Sequence, residues 1–242
     1  MSVFSSNLQA VRRRVAAAAN AAGRNPDAVR LVAVSKTFNA DAVGELFAAG
    51  QHDFGESYLQ EAVPKMTLVN ATCQKAGSKA PVWHMIGPLQ SNKTRLVAEL
   101  FDWVHSVDRA RIAERLSEQR PKELAPLNVC IQVNISGETT KSGVNVEQLP
   151  ELARAVAVLP GIRLAGLMAI PAKDDATAFA RMATLIALPE LHALNLRELS
   201  MGMSDDLEVA IAAGATMVRV GTALFGARER NAQVPDTHSL QP

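Results

Sequence analysis

The lysine at position 36 ends a short apolar segment and is the residue best suited to covalent chemistry. Lys36 comes shortly after the apolar run Leu31 to Val34. At the rim of a dry cavity the ammonium form of an amine is disfavoured, so the free amine becomes available to attack a carbonyl group and form a Schiff base. The alternative interpretation is a lysine that merely reaches solvent from the end of a strand.

A second candidate group lies near the other end of the chain. Arg219 alternates with Val218 and Val220, so a strand would point it to the same side as Gly221. An inward arginine needs an acceptor because it keeps its charge, and a structural carboxylate would also satisfy it. Gly221 lets the backbone approach an anion and Thr222 adds a hydroxyl, which predicts a phosphate cradle. A tight strand-to-helix turn is the alternative explanation of this glycine.

One cofactor matches an amine, an inward arginine and a phosphate cradle at a single site, namely pyridoxal 5′-phosphate. Its aldehyde would react with Lys36, its ring nitrogen would accept from Arg219, and its phosphate would lie on Gly221 and Thr222. Ser200, in the preceding strand candidate, can add another hydroxyl to the phosphate site.

Short apolar segments alternate with amphipathic helical ones and would position these residues. Several segments are continuous apolar runs, which is typical of parallel strands covered on both faces. The strand candidates are Leu31–Ser35, Asp53–Gly55, Val82–Gly87, Trp103–Val107, Asn128–Asn134, Leu164–Ala169, Glu198–Met201 and Met217–Gly221. Eight strands, each followed by a helix, predict a single α/β domain over residues 1–242, a (β/α)₈ TIM barrel whose working face lies at the C-terminal strand ends.

The rival architecture is an open doubly wound sheet. Such a fold would usually carry a G-x-G-x-x-G phosphate loop after its first strand, and Ala33 to Lys36 is followed by none, which favours the barrel. Leu8, Val11 and Val15 keep helical spacing and predict an extra helix before the barrel. The polar tail, residues 231–242, is expected to be flexible.

Polar residues near helix starts are candidate caps. We expect Asn39, Ser57 and Ser204 to cap the helices that follow strands one, two and seven. Ser57 and Gln60 have the spacing of a capping box.

Three further residues near the ends of strand candidates complete the candidate cofactor contacts: Tyr58, His84 and Met168. A hydrogen-bonded barrel histidine is the alternative for His84. A side chain of the core or the pocket wall is the simplest interpretation of Met168.

Composition excludes several classes of partner. The net charge is +1 and aromatic residues make up 4% of the chain, so neither nucleic acid nor a membrane surface is expected as a partner. The N-terminus lacks the order of a signal peptide, and no apolar run is long enough for a membrane span. Cys73 and Cys130 form no metal motif, and we expect no bound metal. These features predict a cytoplasmic protein.

The whole set of motifs resembles the YggS/PROSC family of pyridoxal-phosphate homeostasis proteins, which is related to the barrel domain of alanine racemase. The motifs span about residues 31–228 and are highly specific together. They are Ala33-Val-Ser-Lys36, Phe54-Gly-Glu56, Trp83-His-Met-Ile-Gly-Pro-Leu-Gln90, Lys141-Ser-Gly143, Gly166-Leu-Met-Ala169, Leu199-Ser-Met-Gly-Met-Ser-Asp205 and Arg219-Val-Gly-Thr-Ala-Leu-Phe-Gly226.

The resemblance implies a barrel of the third fold type of pyridoxal-phosphate proteins, with the cofactor on Lys36 as an internal aldimine. It implies Ser200, Gly221 and Thr222 at the phosphate and Arg219 at the pyridine nitrogen. It also implies no strong enzymatic activity. One departure is Ser57, where the family commonly has asparagine, so any contact of that amide is in doubt.

Three functions follow from this sequence. The first is a monomeric, non-catalytic carrier that buffers pyridoxal phosphate or delivers it to apo-enzymes. The second is a weak amino-acid racemase or related enzyme with Lys36 as its base. The third is a phosphosugar-type barrel enzyme without the cofactor. The first is favoured because an arginine at the ring nitrogen makes a poor electron sink, and because one barrel leaves no room for a second, racemase-type domain.

Overall fold

The computed structural model describes residues 2–226 and contains a closed barrel of eight parallel strands in chain order. The pairing of the first strand with the last closes the sheet and excludes the doubly wound alternative. Each strand is followed by a helix, so the predicted (β/α)₈ barrel is confirmed. The predicted flexible tail, residues 231–242, lies outside the described residues.

The strands match the eight candidates to within two residues at each end. They are β1 (Arg30–Val34), β2 (Asp53–Glu56), β3 (Val82–Met85), β4 (Trp103–Val107), β5 (Leu127–Gln132), β6 (Ile162–Met168), β7 (Glu198–Ser200) and β8 (Met217–Val220). The helices are α1 (Val3–Ala21), α2 (Ala40–Ala48), α3 (Leu59–Lys75), α4 (Thr94–Leu100), α5 (Ala110–Gln119), α6 (Leu149–Ala157), α7 (Ala178–Ile186), α8 (Pro189–His192), α9 (Leu207–Ala212) and α10 (Thr222–Phe225).

Two separate apolar cores follow from the alternation of side chains along the strands. The larger core lies between the sheet and the helices and includes Leu167 and Val218. The smaller core fills the inside of the barrel. It consists of Trp103, Cys130, Met168 and Met217. The inside of the barrel is therefore packed with side chains, as in other small barrels.

The predicted extra helix is α1, which packs against α2, α9 and α10. Its buried stripe contains Leu8, Val11 and Val15. The side-chain amide of Asn7 donates to the carbonyl of Leu224 over 2.9 Å, which ties α1 to the short helix that follows β8. The leading helix thus supports the turn in which the phosphate cradle was predicted.

One of the three predicted helix caps is confirmed. The side chain of Asn39 accepts the amide of Ala42 over 3.0 Å at the start of α2. The cap prediction for Ser57 is wrong, because α3 starts one residue later with Tyr58 at its N-cap and no side-chain cap.

Close packing explains that shift. The backbone of Ser57 packs so closely on Gly87 that a Cβ on this glycine would lie 2.2 Å from the carbonyl oxygen of Ser57. Residue 57 is therefore held in the turn between β2 and α3.

The prediction for Ser204 is also wrong, because the N-cap of α9 is Asp206. The hydroxyl of Ser204 instead accepts the amide of Ala223 over 3.3 Å. A tertiary contact at the start of α10 has taken the hydroxyl that the sequence pattern assigned to a local cap.

A glycine in β6 tests the register that brings β6 and β7 together. A Cβ at Gly166 would lie 1.8 Å from the carbonyl oxygen of Glu198, so we expect Gly166→Ala to lower the free energy of unfolding by about 3 kcal/mol or more. Gly44 is the matched control, because nothing lies within 4 Å of a Cβ built there. Gly44→Ala should stabilise α2 by about 0.5–1 kcal/mol. Urea unfolding of both variants measures this, and equal stabilities would contradict the register.

Candidate functional site

Lys36 lies two residues after the end of β1 at the C-terminal end of the barrel, as predicted, and its side chain is partly buried. The residues on either side of it are held from the helical layer. The hydroxyl of Ser35 donates to Glu56 over 2.6 Å. The amide of Thr37 donates to the carboxylate of Glu61 over 2.9 Å. Thr37 has a φ of 71°, a conformation that is costly for a β-branched residue and persists only where surrounding contacts enforce it.

A buried ion pair stands behind this segment on the outer face of the sheet. The ammonium of Lys65 donates to Glu56 over 2.6 Å and to the carbonyl of Ser35 over 2.7 Å. Both side chains are almost fully buried. Burial raises the pKa of the Glu56 carboxyl, and the charge of Lys65 offsets part of that rise. We call Ser35, Glu56 and Lys65 the outer clamp, and it fixes the backbone from which Lys36 projects.

Arg219 lies in β8 and points into the barrel, as predicted, where it is 4% exposed. One terminal nitrogen donates to the hydroxyl of Ser200 over 2.7 Å and the other donates to the carbonyl of Ala169 over 2.9 Å. Burial lowers the pKa of Arg219 to about 10, so the guanidinium keeps its charge at neutral pH. Within residues 2–226 no carboxylate forms a salt bridge with Arg219, so the structural carboxylate considered as an alternative is replaced by neutral acceptors.

Ser200 is fully buried as the last residue of β7. Its hydroxyl lies between Arg219 and the Nδ1 atom of His105, which is 2.7 Å away. Ser200 is therefore hydrogen-bonded at the end of the site where Arg219 lies. Its contact with a phosphate stays a prediction.

The predicted phosphate cradle lies in the turn from β8 to α10. Gly221 is the N-cap of this short helix and Thr222 is its first residue, with an exposed side chain. A Cβ at Gly221 would lie 3.3 Å from the carbonyl oxygen of Val34 in β1, so a side chain there would crowd the neighbouring strand end. The hydroxyl of Ser204 reaches the same helix start. Sequence reasoning missed Ser204 because its motif also fitted a helix cap.

The remaining predicted contacts lie at three different depths. Tyr58 lies above the strand ends and is 51% exposed. Met168, the last residue of β6, is fully buried in the inner core. His84 is fully buried within the barrel, with Nε2 3.0 Å from Asp53 and Nδ1 2.9 Å from His105. The interpretation of His84 as a hydrogen-bonded barrel histidine describes this geometry, and its contact with a cofactor stays a prediction.

Several polar residues around the site were missed from the sequence. His105 follows Trp103 by two residues in β4, so alternation alone could have placed it inside the barrel. Glu56 and Lys65 lie nine residues apart on different elements, and no sequence signal joins them.

Among residues 2–226, no three His, Cys, Asp or Glu side chains are grouped so that they could hold a metal ion. No helix within the same residues combines the length and the apolar character needed to cross a membrane.

Comparison with known proteins gives consistent matches over nearly the whole chain. The model of the alanine racemase N-terminal domain family matches residues 6–229. The pyridoxal phosphate homeostasis protein of Pseudomonas aeruginosa is 56% identical over 238 residues, which cover 96% of this chain and 99% of that protein. The protein of the same name from Escherichia coli K12 is 52% identical over 234 residues, covering 95% of this chain and 98% of the relative.

A solved structure gives a similar result. PipY of Synechococcus elongatus with pyridoxal phosphate bound has a TM-score of 0.77 and 35% identity, and the match covers 92% of this chain and all of PipY (100%).

The outer clamp makes a testable contribution to stability. Lys65→Met leaves the buried Glu56 without its counter-charge, so we expect the free energy of unfolding to fall by about 3–5 kcal/mol at neutral pH. Lys75→Met is the matched control, because Lys75 lies exposed in the same helix and should change stability by less than about 0.5 kcal/mol. Chemical unfolding of both variants gives the values.

The same variant should acquire a pH dependence. Without Lys65, burial is the main influence on Glu56 and its pKa rises further in the folded state. The folded protein then binds more protons than the unfolded one, so stability should fall as pH increases above the usual glutamate pKa of about 4.3. Adding Glu56→Gln should remove this slope. A flat profile for Lys65→Met would show that the carboxylate finds another partner.

Proposed function

This chain belongs to the alanine racemase N-terminal domain family, and on that premise we propose that it binds pyridoxal phosphate at the C-terminal end of the barrel and buffers or delivers it, without strong catalysis of its own. Its relatives named pyridoxal phosphate homeostasis proteins support this role, as does the PLP-bound structure of PipY. The proposal treats the chain as a single binding domain.

The observation that carries the proposal is the buried, carboxylate-free guanidinium of Arg219. A buried cation is costly unless it is hydrogen-bonded, and Ser200 and Ala169 occupy only part of the donor set of Arg219. A pyridine nitrogen is a neutral acceptor that would use a remaining donor. A carboxylate ligand in place of the pyridine nitrogen would form an ordinary ion pair with Arg219. Such a ligand would not require neutral acceptors around the guanidinium.

The position of Lys36 fits the same ligand. β1 and β8 are neighbours in the barrel, and Val32 pairs with Arg219. Because side chains alternate along β1, we expect Lys36 on the same face of the sheet as Arg219, nearer the C-terminal end of the barrel. When bound, pyridoxal phosphate supplies an aldehyde that an amine can hold covalently and reversibly. Lys36 would be that amine.

We assign the other contacts by position. Gly221 and Thr222 would hold the phosphate, whereas Ser200 would act at the ring-nitrogen end, because its hydroxyl is bonded to Arg219 and His105. Tyr58 would lie over the mouth, while Met168 and His84 would form its floor from inside the barrel. The described residues would therefore offer a partner for each polar group of the cofactor.

We propose that catalysis is weak because the ring nitrogens of the histidines inside the barrel are already hydrogen-bonded. His84 and His105 are hydrogen-bonded on both ring nitrogens, so neither has a nitrogen left to exchange a proton with a bound amino acid. Arg219 would donate to the ring nitrogen and keep it unprotonated, which weakens the ring as an electron sink. A weak racemase with Lys36 as its base is the alternative.

The proposed setting is the cytoplasm, with the protein acting as a monomer. Cys73 and Cys130 are both buried free thiols, which agrees with a reducing compartment. The recipients that we propose are apo-enzymes that require pyridoxal phosphate.

Covalent binding at Lys36 is tested with the purified full chain. After incubation with pyridoxal phosphate and reduction with borohydride, we expect a pyridoxyl group on the peptide that contains Lys36. Lys36→Ala should lose both this label and the visible absorbance of the bound cofactor. Lys122→Ala, an exposed control, should keep both. Peptide mass spectrometry reads the label, and labelling spread evenly over several lysines would contradict a built site.

Catalysis is tested separately on the loaded protein. Incubation with L-alanine and other L-amino acids should form the D-isomers or other products no faster than free pyridoxal phosphate does. Chiral chromatography measures the conversion. A steady rate above that of the free cofactor, abolished by Lys36→Ala, would reject the carrier proposal in favour of the racemase alternative.

A further inference from the structure

A continuous line of hydrogen bonds runs along the inside of the barrel beneath the site. The hydroxyl of Ser200, at the C-terminal (upper) end of the barrel, is 2.7 Å from Nδ1 of His105. Nε2 of His105 is 2.9 Å from Nδ1 of His84, whose Nε2 is 3.0 Å from Asp53. Asp53 is the first residue of β2, so the line ends at the N-terminal end of the barrel. We call Ser200, His105, His84 and Asp53 the interior relay.

The two ends of the relay decide which way its protons point. An ionised carboxylate only accepts, so Nε2 of His84 carries the proton shared with Asp53. A neutral His84 then accepts at Nδ1, and His105 must donate to it from Nε2. Nδ1 of His105 is therefore an acceptor, and the hydroxyl of Ser200 donates its proton to this nitrogen. Arg219 only donates, so the oxygen of Ser200 accepts from it at the upper end.

The neutral state of both rings agrees with their burial. Burial is the main cause that lowers the pKa of His84, against the opposing influence of Asp53. Burial also lowers the pKa of His105 well below its usual value, and the nearby His84 and Arg219 lower it further. Two neutral rings each have one donor and one acceptor, so the relay has a single consistent direction from Arg219 to Asp53.

This direction matters at the upper end, because Ser200 has only one proton. Bonding that proton to His105 turns the lone pairs of the hydroxyl towards Arg219. Without an acceptor at position 105, the hydroxyl of Ser200 is free to rotate. One terminal nitrogen of Arg219 then loses an acceptor of fixed orientation. The carbonyl of Ala169 would then be the remaining described contact of Arg219.

We infer that His105, His84 and Asp53 are positioning residues, which orient Ser200 and through it hold Arg219 for the ring nitrogen of pyridoxal phosphate. This inference rests on the proposed function, since it names what the barrel interior does for that site. The effect of the three residues reaches the cofactor only through the guanidinium.

The test compares the native cofactor with an analogue in which a CH group replaces the ring nitrogen. His105→Phe removes both ring nitrogens at similar volume, and we expect it to weaken binding of pyridoxal phosphate about tenfold. The analogue cannot accept from Arg219, so the wild type and the variant should bind it equally. Titration of the purified full chain, followed by absorbance, gives both affinities. Met217→Leu, a change in the inner core outside the relay, is the matched control and should leave both affinities within about twofold.

A second variant keeps the test valid if His105→Phe fails to fold. Asp53→Asn conserves shape at the far end of the relay but removes the charge that fixes its direction. We expect it to weaken binding of the native cofactor about threefold and binding of the analogue not at all. In a Ser200→Ala background, which cuts the relay from Arg219, neither His105→Phe nor Asp53→Asn should weaken binding further.

The outcomes separate the two proposals. If the wild type binds neither ligand, the proposed function is wrong. If the wild type binds both ligands but the relay variants weaken both equally, or weaken neither, the function stands and the positioning role is overturned.

Discussion

The constraint on which the site depends is a guanidinium buried inside a barrel with neutral acceptors only. Arg219 cannot shed its charge, so the strands around it must provide oxygen atoms at the right height. The register of β6, β7 and β8 does so, because Met168 pairs with Ser200 and Ser200 pairs with Met217. This register brings the hydroxyl of Ser200 and the carbonyl of Ala169 within hydrogen-bond reach of the guanidinium of Arg219. A carboxylate at this level would neutralise the arginine and leave little for a ligand to add.

Lys36 and Arg219 are each supported by a separate set of polar contacts, and the two sets lie on opposite faces of the sheet. The interior relay supports Arg219 from inside the barrel, whereas the outer clamp supports Lys36 from the helical layer. This division follows from alternation along β1, since Ser35 faces outwards where Lys36 faces inwards. Both sets are buried, so both tolerate the loss of a partner poorly. The contacts behind Lys36 and Arg219 therefore do not occupy the space in front of them that the proposed ligand would use.

The sequence predicted the barrel, its strands, the positions of Lys36 and Gly221 at strand ends and the inward Arg219 within β8, because these depend on local patterns of period two and on the order of elements. It did not predict the pairing of His84 with His105, because which inward residues meet depends on the stagger of strands around a closed sheet. The expected caps at Ser57 and Ser204 failed for a similar reason. In both cases a tertiary contact replaced the local one, and single-sequence patterns contain only the local alternative.

A network whose protons all point one way can hold a cofactor without exchanging protons with it. In the interior relay every hydroxyl and ring proton has an acceptor, from Ser200 down to Asp53. A catalytic base needs the opposite condition, an open acceptor within reach of the substrate. On the inferred arrangement the histidines of the barrel fix one guanidinium, and in the proposed function Lys36 would make and release the covalent bond. Reversible attachment with no further proton transfer would suit the proposed carrier, because the arrangement that secures the arginine leaves neither His84 nor His105 with an open ring nitrogen.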